Sequence, residues 1–244
     1  MKQSVFSIIE NKPLTSNVYK MVLSGDTSEI TKPGQFVNIK IDGTFLRRPI
    51  SVCDYDENTL TLIYKVVGKG TEILSIMQSG ELDILTGLGN GYDTEISGNH
   101  PVLMGGGVGV PPLYALAKKL ISENKTVDVL LGFNTDDEVF YAKEFADLGC
   151  NVTVCIADNC RNSEYKNGFV TAYLPENYTH FYTCGPEPML KAVYNATNTE
   201  GQLSFEERMG CGFGVCMGCS CKTITGYKRI CKDGPVLLKS EIIF

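Results

Sequence analysis

From residue 5 to about residue 96, apolar and polar residues alternate in short runs such as NVYKMVL at 17–23 and TLTLIYK at 59–65, punctuated by Gly, Pro, Asn and Asp. Alternation of period two over such lengths predicts half-buried strands joined by turns. One stretch departs from it. TEILSIM at 71–77 follows a glycine pair and shows a short apolar face, which predicts a helix over about 70–78. An antiparallel barrel carrying one helix accommodates both patterns. After Gly98 the period changes: PVLM at 101–104 reads as a strand, GGGVG at 105–109 as a loop, and 111–121 as a helix with Leu113, Leu116, Ala117 and Leu120 on one face. Further strands are predicted at 127–131, 152–157 and 180–184, with helices over 142–148 and 187–196. Strands alternating with helices predict a parallel sheet whose ligand crevice lies at the strands' C-terminal ends. The fold class is therefore multidomain, β followed by α/β, with three units expected at 1–98, 99–200 and 201–244.

Composition narrows the classes of function. The 244 residues are 43% apolar, enough to fill two cores, and the formal charge of −6 leaves no basic footprint for nucleic acid or an anionic membrane. Residues 101–117 carry no charge, yet they hold four glycines and two adjacent prolines and fall short of a spanning helix. No membrane segment is expected, and the opening MKQSVFSIIENK lacks a signal-type apolar run, so a cytoplasmic location is expected. In a reducing compartment a cysteine cluster points to metal or catalysis rather than to cross-links. Of the ten cysteines, Cys53, Cys150, Cys155 and Cys160 are expected to act as small buried hydrophobes. Neither His100 nor His180 stands near a base or metal constellation, and neither is given a role.

Five cysteines fall between 211 and 231. Cys211, Cys216 and Cys219 stand at C-x4-C-x2-C, the plant-type [2Fe-2S] spacing, which calls for a distant fourth ligand. Cys231 supplies it. Gly212, Gly214 and Gly218 leave backbone N–H groups free to approach sulfur. Four thiolates also suit zinc, whose ligands come more often in two separated pairs than with three in one loop, and Cys221 is an alternative fourth ligand. Phe213, Val215 and Met217 alternate with these residues, either facing a redox partner or covering the cluster from water. In the first unit, LRRPISV at 46–52 carries arginine towards a barrel mouth and VGKGT at 67–71 feeds a helix N-terminus, a ready anion site. Taken singly, an arginine at a strand end is usually a solvated charge and such a glycine stretch usually only a turn. Together they could hold a pyrophosphate. After the second strand of the middle unit, FNTDDE at 133–138 offers acids and no base to a 2′-phosphate, favouring NADH over NADPH, with Arg161 as the residue able to reverse this.

The RPIS run at 48–51, the preceding PGQFV at 33–37 and the later Gly70-Thr71 turn resemble the flavin barrel of the ferredoxin reductase superfamily, except that Ile50 stands where most members have tyrosine. CGPEPM at 184–189 is similar to the turn of that superfamily's nicotinamide domain. With the cysteine segment and DGPV at 233–236, the whole chain resembles the electron transfer subunits of class B dihydroorotate dehydrogenases. The resemblance implies FAD held by Arg48, Pro49, Ile50, Ser51, Ile63, Tyr64, Lys65, Gly70 and Thr71, with Arg48 on the diphosphate and Ser51 at the ring edge. It implies NAD held at Gly107 and Gly109 with Cys184 and Gly185 near the nicotinamide, and a [2Fe-2S] cluster on Cys211, Cys216, Cys219 and Cys231. The implied partner is an FMN-containing dihydroorotate-oxidising subunit, in a heterotetramer of two of each, feeding electrons through the cluster and FAD to NAD+ in pyrimidine biosynthesis. A flavin exchanges electrons in pairs or singly, so it belongs between the nicotinamide and the cluster. Related small subunits of flavin and iron–sulfur NAD(P)H oxidoreductases are similar over the same length but typically have aspartate at the first cluster position, where this chain has Cys211. A self-sufficient reductase and a zinc-stapled module without redox chemistry are the other readings.

Overall fold

The computed structural model describes residues 1–244. Alternation in the first part builds six strands, β1 (Lys2–Pro13), β2 (Val18–Ser24), β3 (Phe36–Ile39), β4 (Arg48–Tyr55), β5 (Thr59–Lys65) and β6 (Glu81–Leu88). They close into a barrel in the order β1-β2-β5-β4-β3-β6, all neighbours antiparallel. In β5 the even positions Leu60, Leu62 and Tyr64 fill the barrel, whereas Ile63 points the other way and is buried against the second unit. The single helix α1 (Lys69–Ile76) contributes fully buried Leu74 to the barrel core. Asn11 of β1 donates its Nδ2 to the carbonyl of Leu74 (2.8 Å), which also accepts from the Met77 amide, and to that of Met77 (2.9 Å), tying the helix end to the barrel.

The second part forms β7 (Pro101–Gly106), α2 (Tyr114–Ser122), β8 (Asp128–Phe133), α3 (Ala142–Asp147), β9 (Asn151–Ile156), β10 (Lys166–Asn167), β11 (His180–Cys184) and α4 (Glu187–Ala196). From β7 the chain steps outward through β8, β9 and β10, then returns to place β11 on the other side of β7, all parallel. The strand order therefore reverses between β7 and β11, where open α/β sheets form their ligand crevice. Alternate β7 residues enter different cores. Leu103 joins Leu116, Ala117 and Leu120 of α2 on the face towards the barrel, while Val102 and Met104 join Leu190 and Val193 of α4 on the other.

The sheet does not stop at residue 200. β12 (Gly201–Ser204) pairs parallel with β11, and β15 (Val236–Leu238) pairs antiparallel with β12. Residues 205–235 are an excursion between these two strands, containing the cysteine loop and a hairpin of β13 (Ser220–Thr223) and β14 (Gly226–Arg229). Asn90, in the link between barrel and sheet, binds β15 reciprocally: its Nδ2 donates to the Val236 carbonyl (2.7 Å) and its Oδ1 accepts from the Val236 amide (3.1 Å). No helix is long and apolar enough to cross a membrane.

Candidate functional site

Three groups of the sequence-selected residues converge. At one barrel mouth the Arg48 side chain leaves the start of β4 and lies directly over Gly70, so closely that a Cβ there would collide with its guanidinium. Thr71 Oγ1 accepts from the amides of Val67 (3.0 Å) and Gly68 (3.3 Å) and donates to the Gly68 carbonyl (3.0 Å), fixing the turn. The amides of the first turn of α1 have no intrahelical acceptors. A guanidinium beside such a helix start, with no Cβ in the way, fits the diphosphate of FAD. Ser51 lies opposite Phe36 on β3, and Ile50 packs against the barrel core rather than standing free. Tyr64 also turns inward, stacking 6.0 Å from Tyr19 and donating its hydroxyl to Asn11 Oδ1 at 3.0 Å. Ile63 seals the barrel against Val110 and Leu113 of the second unit, and Lys65 ends β5 opposite Val18.

At the crevice between β7 and β11, the Gly107–Gly109 turn lies on the turn that follows β11. A Cβ on Gly109 would fall onto the main chain of Cys184 and Gly185, and Gly107 adopts φ +53, in the left-handed region. Met189 Sδ fills the space beside Gly106 and Gly185, which explains the methionine of the CGPEPM run. The Cys184 thiol is pushed up to about 12 by burial and so stays protonated. The Gly107–Gly109 turn packs against β5, and the Pro111–Leu113 turn against β4, so the crevice opens towards the barrel strands that carry the first group. Beyond β8, Arg161 is already engaged. Its amide (2.9 Å) and Nε (3.3 Å) bind Asp136 Oδ2, and its Nη2 binds Asp137 Oδ2 (3.1 Å).

The cysteines do not gather into a convergent set of three or more ligands; main-chain amides instead link Cys216 to Cys211 and Cys231 to Cys219. Cys211 Sγ accepts from the amides of Val215 (3.3 Å) and Cys216 (3.5 Å), Cys216 Sγ from Gly218 (3.5 Å) and Cys219 Sγ from Cys231 (3.4 Å). Cys219 and Cys231 are buried, Cys211 is half-buried and Cys216 is exposed. Partial burial opposes ionisation of Cys211, but amides aimed at its sulfur outweigh it and pull the thiol down to about 6. Gly212 (φ +79) and Gly214 (φ +91) take left-handed conformations that let these amides turn inward. The amides aimed at the sulfurs of Cys211, Cys216 and Cys219 suit thiolates of an iron–sulfur cluster, although the four thiols do not close on one centre in this structure. Cys221 sits on β13, paired with Lys228, and packs on the apolar core below the loop. Two anchors hold the loop: Arg229 Nη1 donates to the Gly214 carbonyl (3.0 Å), and Asn38 of β3 donates Nδ2 to the Cys211 carbonyl (3.2 Å). Neither anchor was found from the sequence, since a lone Asn in a strand and an Arg in a hairpin carry no motif.

Residues 206–243 match the family model for the iron–sulfur cluster binding domain of dihydroorotate dehydrogenase B, and residues 103–195 match the oxidoreductase NAD-binding domain. The dihydroorotate dehydrogenase B (NAD(+)) electron transfer subunit of Geobacillus sp. (strain WCH70) is 42% identical, covering 100% of this chain and 99% of its own. That of Fusobacterium nucleatum is 40% identical over 99% of each. The chain belongs to this family of electron transfer subunits. The resemblance read from its motifs is thereby borne out, and so is the oxidoreductase assignment built on iron–sulfur and NAD-binding domains. The structure of an NADH-dependent reduced ferredoxin-NADP oxidoreductase superposes with a TM-score of 0.86 at 26% identity, covering 98% of this chain and 89% of that one. A ferredoxin NADP+ reductase from Neisseria gonorrhoeae shares the fold, with a TM-score of 0.70 at 19% identity over 80% of this chain and 90% of its own. The family's barrel, parallel sheet and C-terminal iron–sulfur segment are those described above.

Proposed function

We propose that the chain relays electrons between an FMN-containing, dihydroorotate-oxidising catalytic subunit and NAD+, in a cytoplasmic heterotetramer of two copies of each subunit. Residues 1–98 hold FAD, 99–200 hold NAD(H), and 201–244 hold the [2Fe-2S] cluster. Arg48 and the amides at Gly70 and Thr71 bind the FAD diphosphate, while Pro49, Ser51 and the main chain of Ile50, Ile63, Tyr64 and Lys65 flank its ring. Gly107 and Gly109 admit the NAD diphosphate without side-chain obstruction, and Cys184 and Gly185 border the nicotinamide. Cys211, Cys216, Cys219 and Cys231 are the cluster ligands. Bound FAD supplies the exchange between hydride transfer at the nicotinamide and single-electron transfer at the iron–sulfur centre.

What most supports this reading is the hydrogen bond from Asn38 to the Cys211 carbonyl, because Asn38 faces Pro49 across the β3–β4 pair. The cluster loop is thus seated on the strand pair assigned to the flavin. Co-expression with the FMN subunit is expected to give a complex containing FAD, FMN and iron that reduces NAD+ with dihydroorotate. Cys216→Ser is expected to lose iron and coupled activity while keeping FAD. Unchanged iron content in that variant, or a purified complex without FAD, would refute the assignment.

A further inference from the structure

Every residue of β3 is buried, and Asn38 is the one polar side chain among Phe36, Val37 and Ile39, with 1% of its surface exposed. Its Nδ2 donates to the Cys211 carbonyl and occupies the space where a Cβ on Gly212 would lie. Its Oδ1 is buried without any hydrogen-bond partner. The carboxamide cannot be turned the other way, since a carbonyl only accepts and the nitrogen must face Cys211. The main chain is fixed as well: Arg47 Nη1 donates to the Asn38 carbonyl (3.3 Å) and to the Asp83 carbonyl (3.0 Å), while its Nη2 binds Asp83 Oδ1 (2.9 Å).

A buried amide with one end unpaired is a poor choice for stability in an apolar strand, where a branched apolar residue would carry no such cost. Departures of this kind mark sites kept for function. The polar end that is used holds the main chain of a cluster ligand, and the strand it stands on is paired with β4. Groups that bind and orient ligand residues in this way set metal-site properties without touching the metal. We propose that Asn38 is a positioning residue that locks the Cys211 side of the cluster loop onto the β3–β4 strand pair, fixing the cluster against the flavin site. The proposal rests on the placement of FAD and the cluster given above.

The test uses the purified chain with both cofactors and the variants Asn38→Leu, similar in size without polar atoms, and Asn38→Thr, which suits a strand but cannot reach Cys211. Both are expected to fold and to retain FAD and iron, since removing the unpaired Oδ1 offsets part of the lost bond to the Cys211 carbonyl. NADH reduces their flavin at the wild-type rate. The EPR spectrum of the reduced cluster changes, and passage of electrons from flavin to cluster, followed by rapid-mixing spectroscopy, slows roughly tenfold. An unchanged spectrum and transfer rate would overturn the role of Asn38. So would failure of both variants to fold or to retain FAD, because Asn38 would then serve the fold as a whole. A wild-type chain with no cluster signal would instead refute the underlying cofactor assignment.

Discussion

Arg48 lies over Gly70, and Arg161 is bound between Asp136 and Asp137, so two residues of one type have opposite prospects. The first guanidinium meets a helix start that attracts anions; the second already has its carboxylates. Arg48→Ala is therefore expected to weaken FAD retention roughly ten- to a hundredfold through loss of a charge-assisted contact, read by ultrafiltration of the flavin. Equal FAD occupancy in variant and parent would contradict this. For coenzyme choice, Arg161 is already paired with Asp136 and Asp137, which compete with a 2′-phosphate for its guanidinium, so NADH is expected to reduce the flavin faster than NADPH. Replacing Asp136 and Asp137 together by Ser releases the guanidinium, and kcat/KM with NADPH should rise roughly tenfold. Faster reduction by NADPH in the parent chain would show that another basic group decides the matter.

Among the elements, β11 carries the most consequential buried base. His180 is buried, its ring 4.9 Å from Tyr182, with Gln202 Nε2 3.3 Å from its Nε2. Burial holds its pKa down at about 4, partly opposed by the charge of Asp93. The folded value lies below the ordinary value near 6.5, so as pH falls below 6.5 the unfolded chain takes up a proton that the folded chain refuses. Stability is complete above that pH and declines towards pH 4 by about 3 kcal/mol. The urea midpoint is expected to drop between pH 7 and 5, and His180→Gln to flatten part of that slope; identical slopes would show that His180 is not the group responsible. The same strand shows what sequence makes legible. The expected spans 59–65, 180–184 and 187–196 coincide with β5, β11 and α4, because Gly185 and Pro186 end one element and start the next. β12 and β15 were not found: three or four residues carry no period, and their pairing depends on contacts across the excursion 205–235. Glycines and cysteines drew attention to the candidate groups by spacing, whereas Asn38 and Asn90 act through neighbours remote in sequence and gave no local signal.

At the scale of the whole molecule, the cysteine loop is anchored from behind by Asn38 and Arg229, and its outer side faces away from the chain. Cys219 and Cys231 are buried beneath it, while Cys216 lies at the surface. Covering the cluster and meeting a partner make different demands on Phe213, Val215 and Met217. A cover would fold these side chains inward, yet Val215 is 74% exposed and Met217 53%, and Met217 holds φ +61, a left-handed conformation uncommon for a side-chain-bearing residue. Ile224 and Tyr227 of the adjacent hairpin are exposed as well, extending the apolar surface beyond the loop. Apolar side chains grouped around the exposed Cys216 suit a docking face for a partner subunit. Met217→Lys places a charge at that face without touching the barrel or the crevice. NADH-dependent reduction of a small dye, which requires FAD alone, should proceed at the parent rate. Dihydroorotate-dependent NAD+ reduction with the FMN subunit should fall at least roughly tenfold through a desolvated, unpaired charge at the interface. Full coupled activity, with the two subunits associating at undiminished affinity, would place the partner elsewhere on the chain.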